Sequence, residues 1–196
     1  MLKTITTIIL FSIALSSCSQ NRTYLTEEEK NWNPYKKGQV LIFELSNYEK
    51  DTIHIVDLDF GFPDGLGVVD YNESLYVLAE PTGPDLGKHF SSTYGVLKVV
   101  AKTEKKPSYI EYGIELKNTQ FIGGQRFSFE DLNALAEIQL AVPYRSFDDV
   151  IVIGNKRNYS NIPTAVELFY WSKSKGYIRF DKYDGTTWEL VEIIEP

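Results

Sequence analysis

Residues 168–190, Leu168-Phe169-Tyr170-Trp171-Ser172-Lys173-Ser174-Lys175-Gly176-Tyr177-Ile178-Arg179-Phe180-Asp181-Lys182-Tyr183-Asp184-Gly185-Thr186-Thr187-Trp188-Glu189-Leu190, decide the fold class of this chain. Aromatic residues recur there at strand spacing, and two turn signals divide the run. Tyr183-Asp184-Gly185 suits a three-residue hairpin loop, with Gly185 in the left-handed position before a bulge. Register supports that choice. A loop closed by Lys182 and Thr186 sets Phe180 opposite Trp188 and Ile178 opposite Leu190. A two-residue loop at Asp184-Gly185 would set Asp181 against Trp188 and Arg179 against Leu190. A second hairpin, looping through Ser172 to Gly176, brings Leu168 opposite Phe180 and Tyr170 opposite Ile178. With a further strand at Val150 to Ile153, the C-terminal part reads as an antiparallel meander.

The same pattern extends toward the N-terminus. Strands are expected at Val40 to Leu45, Thr52 to Leu58, Leu66 to Tyr71, Leu75 to Ala79, Tyr94 to Ala101, Tyr109 to Leu116 and Thr119 to Phe127, with turn residues between. One helix interrupts the series. Ser128 is an N-cap, Glu130 and Asp131 complement the dipole of the first turn, and Leu132, Leu135 and Ala136 recur at helical spacing before Pro143. These signals predict a helix near 129–140. The expected fold is mainly β (α+β): a single domain with an antiparallel curved sheet or half-barrel and one packed helix. Nearer the start, Thr26 and Glu29 form a capping box for one helical turn that Pro34 ends.

The N-terminus is of another kind. Lys3 precedes an apolar run, Ile5, Ile8, Ile9, Leu10, Phe11, Ile13, Ala14 and Leu15, which ends at Leu15-Ser16-Ser17-Cys18. The run falls short of the roughly 20 residues that a spanning helix requires. It resembles the leader of bacterial lipoproteins, with Leu15 and Cys18 at the two demanding positions. The resemblance implies that Cys18 becomes the first mature residue, acylated on its sulfur and its amine. Each buried methylene contributes about 0.8 kcal/mol, so several acyl chains on one residue hold a domain firmly to a membrane. The division expected is 1–17 signal peptide, 18–38 lipidated tether and short helical turn, and 39–196 the β domain. Ser19 after the cysteine implies the outer membrane. Ser19-Gln20-Asn21-Arg22 lacks the acids that accompany surface display, which favours the periplasm-facing leaflet.

Two longer segments carry a second resemblance. Leu25-Thr26-Glu27-Glu28-Glu29 with Pro34-Tyr35 and Gly38-Gln39, and Phe169-Tyr170-Trp171 through Trp188-Glu189-Leu190, are similar to the two ends of small envelope lipoproteins of Bacteroidetes-like bacteria. The motifs are turns and aromatics. They imply location and fold and supply no catalytic residue.

Composition narrows the chemistry. The formal charge is −7, and the densest basic run, Lys102 to Lys106, is broken by Thr103 and Glu104 beside Pro107, so no nucleic acid is expected as partner. Cys18 is the one cysteine, so the mature domain offers neither disulfides nor thiol catalysis. Thirteen tyrosines and eleven phenylalanines suit half-buried sheets and aromatic contact patches. Asp57, Asp59 and Asp64 cluster in a loop rich in Gly and Pro and form a candidate calcium site. Counted as an EF-hand from Asp57, the stretch places Gly61, Phe62 and Val68 where an oxygen ligand, a glycine and a glutamate belong. His54 lies mid-strand, whereas His89 sits in a Gly-rich loop. No Gly-x-Ser-x-Gly elbow surrounds any serine. The expectation is a non-catalytic binding module that meets the membrane through its acyl chains and holds an envelope protein, glycan or lipid ligand. The alternatives are a carrier of lipid or acylated protein within a half-barrel cavity and, more distantly, a hydrolase.

Overall fold

A computed structural model describes residues 21–62, 70–80, 93–120, 125–156 and 159–196. The leader with Cys18, together with Asp64, His89 and Gly123-Gly124, lies outside the described residues. The strands are β1 (Asn21–Thr23), β2 (Val40–Leu45), β3 (Lys50–Gly61), β4 (Asp70–Asn72), β5 (Ser74–Glu80), β6 (Tyr94–Val100), β7 (Tyr109–Tyr112), β8 (Glu115–Leu116), β9 (Thr119–Gln120), β10 (Arg126–Ser128), β11 (Ile138–Ala141), β12 (Ser146–Gly154), β13 (Val166–Ser172), β14 (Gly176–Lys182) and β15 (Thr187–Ile194). Two short helices, α1 (Glu27–Lys30) and α2 (Phe129–Asn133), accompany them. Among the described residues eleven strands form one antiparallel sheet in the order β10-β7-β6-β5-β3-β2-β15-β14-β13-β12-β11. The mainly-β, single-domain expectation holds, and the sheet is not closed into a barrel.

The sheet rolls on itself. Tyr112 on β7 lies 5.0 Å from Phe169 and 4.9 Å from Trp171, both on β13, measured between ring centroids. Those strands are far apart in the sheet order, so their rings can meet only across a concave face. Trp171, Trp188, Tyr177, Phe43 and Phe180 are the largest fully buried side chains of that core. At the seam, Lys156 N–H donates to Gln125 Oε1 at 2.6 Å and the Lys156 ammonium to the Arg126 carbonyl, tying the end of β12 to the β10 edge.

The decisive hairpin forms as its sequence demands. Lys182 N–H donates to the Thr186 carbonyl at 3.0 Å, Phe180 stands opposite Trp188, and Gly185 has φ +79°. The preceding hairpin corrects the expectation beyond its turn. Ser172 faces Gly176 and Trp171 faces Tyr177, but a bulge at Ile178 then sets Tyr170 opposite Arg179 and Phe169, rather than Leu168, opposite Phe180. The extra residue lets Tyr177 and Phe180, three apart, both turn to the core. Gly176 is required at that turn: its φ is +83°, and an added Cβ would lie 2.2 Å from Tyr35 Oη.

Two other expectations are corrected. The helix near 129–140 ends at Asn133, and β11 follows from Ile138. Leu140 pairs with Phe147 and Ile138 with Val150, so ladder formation with β12 overrides the helical propensity of Ala134 to Leu140. The segment expected as a tether and single turn also contributes to the core. Leu25, Trp32 and Tyr35 are buried, and β1 pairs in parallel with β4.

Candidate functional site

The two short helices meet through Trp32 and Phe129, and the groove between them is the candidate site. α1 begins as the capping box predicts: Thr26 Oγ1 accepts from Glu29 N–H at 3.2 Å, and Glu29 Oε2 accepts from Thr26 N–H at 2.7 Å. Glu27 pairs with Lys30 at 3.2 Å. Glu29 and Glu27 are thereby committed to the helix, and exposed Glu28 is left to face the groove. Trp32, one residue past the C-cap Asn31, packs edge to face on Phe129 of α2 with ring centroids 5.9 Å apart. That contact fixes the angle between the helices and buries the floor of the groove.

The groove has two depressions. One, of about 440 Å³, is lined by Glu28, Asn31, Trp32, Asn133 and Lys173. The other, of about 310 Å³, shares Glu28 with the first and is lined by Tyr24, Lys102, Ser108 and Phe129 among others. Lys173 reaches the first from the β13–β14 turn, its ammonium 5.6 Å from the Trp32 ring centroid and 2.8 Å from Glu137.

Asp149 on β12 positions that turn. Its carboxylate accepts from Ser172 Oγ at 2.7 Å and from Ser174 N–H at 2.8 Å. Burial works to raise its pKa, but the hydrogen bonds from Ser174 and Ser172 more than offset it and hold the carboxyl below the usual aspartate value.

Chemically, the first depression offers two side-chain amides, a carboxylate and an ammonium around an aromatic floor. The Lys173 ammonium is already paired with Glu137 and exposed Glu28 carries a negative charge, so the depression favours no anionic ligand. Amides donate and accept in one plane, which suits a neutral, hydroxyl-rich molecule.

The residues singled out from sequence lie elsewhere. Asp57 and Asp59 stand two apart on one side of β3, the first accepting from the Lys37 ammonium at 2.9 Å. The Lys37 hydrogen bond and charge hold the Asp57 carboxyl below its ordinary range. Among the described residues no group of three or more His, Cys, Asp or Glu side chains converges. His54 faces Glu80 across the β3–β5 ladder, with 3.4 Å between Nδ1 and Oε2. Glu28, Asn31, Trp32, Asn133 and Lys173 escaped the sequence reading. The capping box marked where α1 starts, but only the tertiary arrangement brings α2 and the 172–176 turn against it. Among the described residues no helix is long and apolar enough to cross a membrane. No family model matches the chain, and neither curated proteins nor solved structures give a match.

Proposed function

We propose that the protein is a lipid-anchored lipoprotein of the bacterial envelope, held at the periplasm-facing leaflet of the outer membrane through Cys18, whose domain is a non-catalytic module for a neutral saccharide. The observation that carries the binding half is the groove over α1 and α2, where exposed Glu28, Asn31 and Asn133 surround the edge of Trp32. Side-chain amides and a carboxylate beside an aromatic ring recognise hydroxyl groups without forming a covalent bond. The carrier alternative calls for an empty concave face, and here that face holds Trp171, Trp188, Tyr177, Phe43 and Phe180. The anchor half rests on Leu15-Ser16-Ser17-Cys18.

Each half has its own test. Purified protein applied to a panel of immobilised neutral oligosaccharides is expected to bind a subset, and Asn31→Ala combined with Asn133→Ala to weaken that binding at least tenfold. Retention that ignores both substitutions moves the contact elsewhere, and no retention on any glycan removes the saccharide reading. For the anchor, labelled palmitate is expected to appear on the wild-type chain and to be absent from Cys18→Ala, which should leave the membrane fraction.

A further inference from the structure

We infer that Arg22, Tyr24, Phe60 and Phe62 form a membrane-contact patch that seats in the phospholipid headgroup layer, so that the domain rests on the bilayer in one orientation. The inference rests on the lipid anchor at Cys18 proposed above and adds to it a second, non-covalent point of contact.

The length of the tether decides which end of the domain meets the membrane. Only Ser19 and Gln20 separate Cys18 from β1. β1 itself is fixed to the domain: it pairs in parallel with β4, the Thr23 carbonyl accepts from Glu73 N–H at 2.8 Å, and Leu25 N–H donates to Glu73 Oε2 at 2.8 Å. Leu25, directly after Tyr24, is buried. From Cys18 to Arg22 the chain spans at most about 14 Å between Cα atoms, even fully extended. That is less than the radius of gyration of a compact domain of this size, about 16 Å. With the acyl chains in the bilayer, the end of the domain that carries β1 is therefore held at the headgroups.

The side chains at that end suit the place. Tyr24 and Phe60 are 58% and 51% exposed, two of the three exposed large aromatics among the described residues. Phe62 joins them: its ring lies edge to face with Tyr24, centroids 5.4 Å apart, and the guanidinium of exposed Arg22 lies 5.5 Å from its centroid. Phe60 stands two residues upstream, near the end of β3, and Asp59 alternates to the other face of that strand. Amphipathic and aromatic rings sit favourably at headgroup depth. An arginine beside them keeps its aliphatic stem against the rings while its guanidinium meets phosphate. The patch therefore matches a lipid surface in both its apolar and its charged character. Tyr24 also borders the smaller depression of the groove, whereas the one over Trp32 shares no residue with the patch.

The test uses the full lipidated chain reconstituted into vesicles of phosphatidylcholine brominated on acyl carbons near the glycerol, with tryptophan fluorescence as the readout. Native Trp32, Trp171 and Trp188 are buried and set the background. Phe62→Trp is expected to add emission that the bromines quench at least threefold more strongly than the emission added by Tyr48→Trp. Tyr48 is the control because it is 83% exposed in the β2–β3 turn, at the other end of β3 from Phe60. Tyr24→Trp replaces Phe62→Trp as reporter if the latter shifts thermal melting. In the Phe62→Trp chain, Phe60→Asp is expected to cut the quenching at least twofold, with flotation on the vesicles unchanged because the acyl chains still hold the protein. A chain that floats, but in which Phe62→Trp is quenched no more than Tyr48→Trp, overturns the inference and leaves the anchor standing. Quenching that ignores Phe60→Asp traces the proximity to the tether alone and equally overturns the patch. A chain that does not float overturns the anchor reading, and the inference with it.

Discussion

Tyr112 and Tyr177 have ring centroids 6.1 Å apart in the same core and opposite fates for their hydroxyls. Tyr177 Oη donates to the Gly113 carbonyl at 3.1 Å, while its own backbone N–H donates to Tyr35 Oη at 3.0 Å. The Tyr112 hydroxyl is buried with no hydrogen-bond partner among the described residues. Burial pushes both phenols well above their ordinary pKa, so both stay neutral throughout the physiological range. A buried hydroxyl without a partner is a desolvation cost, whereas a bonded one contributes about 1 kcal/mol. Tyr112→Phe is therefore expected to leave stability unchanged or raise it by up to about 1 kcal/mol, and Tyr177→Phe to lower it by about 1 kcal/mol. Urea denaturation of both variants measures this, and equal losses would contradict it. Neither fate was legible in the sequence, which marks an aromatic as inward-facing but not what its polar tip meets.

At the scale of elements, the 172–176 turn depends on one carboxylate. Asp149 has a depressed pKa in the folded protein, so its contribution to stability is fully present above the unfolded value of about 3.9 and is lost as pH falls through the lower folded value. Asp149→Asn is expected to lower the melting temperature at pH 7, and the difference from wild type to shrink as pH falls from about 4 through the lower folded value. A melting difference that does not shrink at all between about pH 4 and about pH 2 would assign the effect to packing instead. Elements of this kind divide by how local their determinants are. The Lys182–Thr186 hairpin and the Thr26–Glu29 capping box could be read directly, because turn residues and register lie within a few positions of each other. The bulge at Ile178 could not, since it answers to Tyr112 and Phe43 on distant strands. Ala134 to Leu140 misled for the same reason: its propensity is helical, and only pairing with β12 makes part of it a strand. The groove over α1 and α2 belongs to this second group.

At the scale of the molecule, the sheet order places β15 between β2 and β14. Trp188 pairs with Leu45 on one side and with Phe180 on the other, joining strands from opposite ends of the sequence. The neighbours β2-β3-β5-β6 and β14-β13-β12 are largely successive hairpins, so β15 alone carries the ladder from one group to the other. Deleting Thr187 to Pro196 leaves β2 and β14 each with a bare edge and removes the rings of Trp188 and the side chain of Leu190 from the core. The truncated chain is expected to lose cooperative thermal unfolding entirely; a sharp transition near the wild-type temperature would show that the two groups are independent domains. A central strand that follows all its sheet neighbours in the chain also governs when folding can happen. A chain delivered N-terminus first, from a ribosome or through a narrow pore, presents β2 long before the strand that must lie beside it. The two halves of the sheet can assemble only as separate hairpins until Thr187–Ile194 arrives. The native state therefore cannot form before Thr187–Ile194 has emerged, and a chain interrupted ahead of that strand stays pliable enough to be threaded onward or degraded.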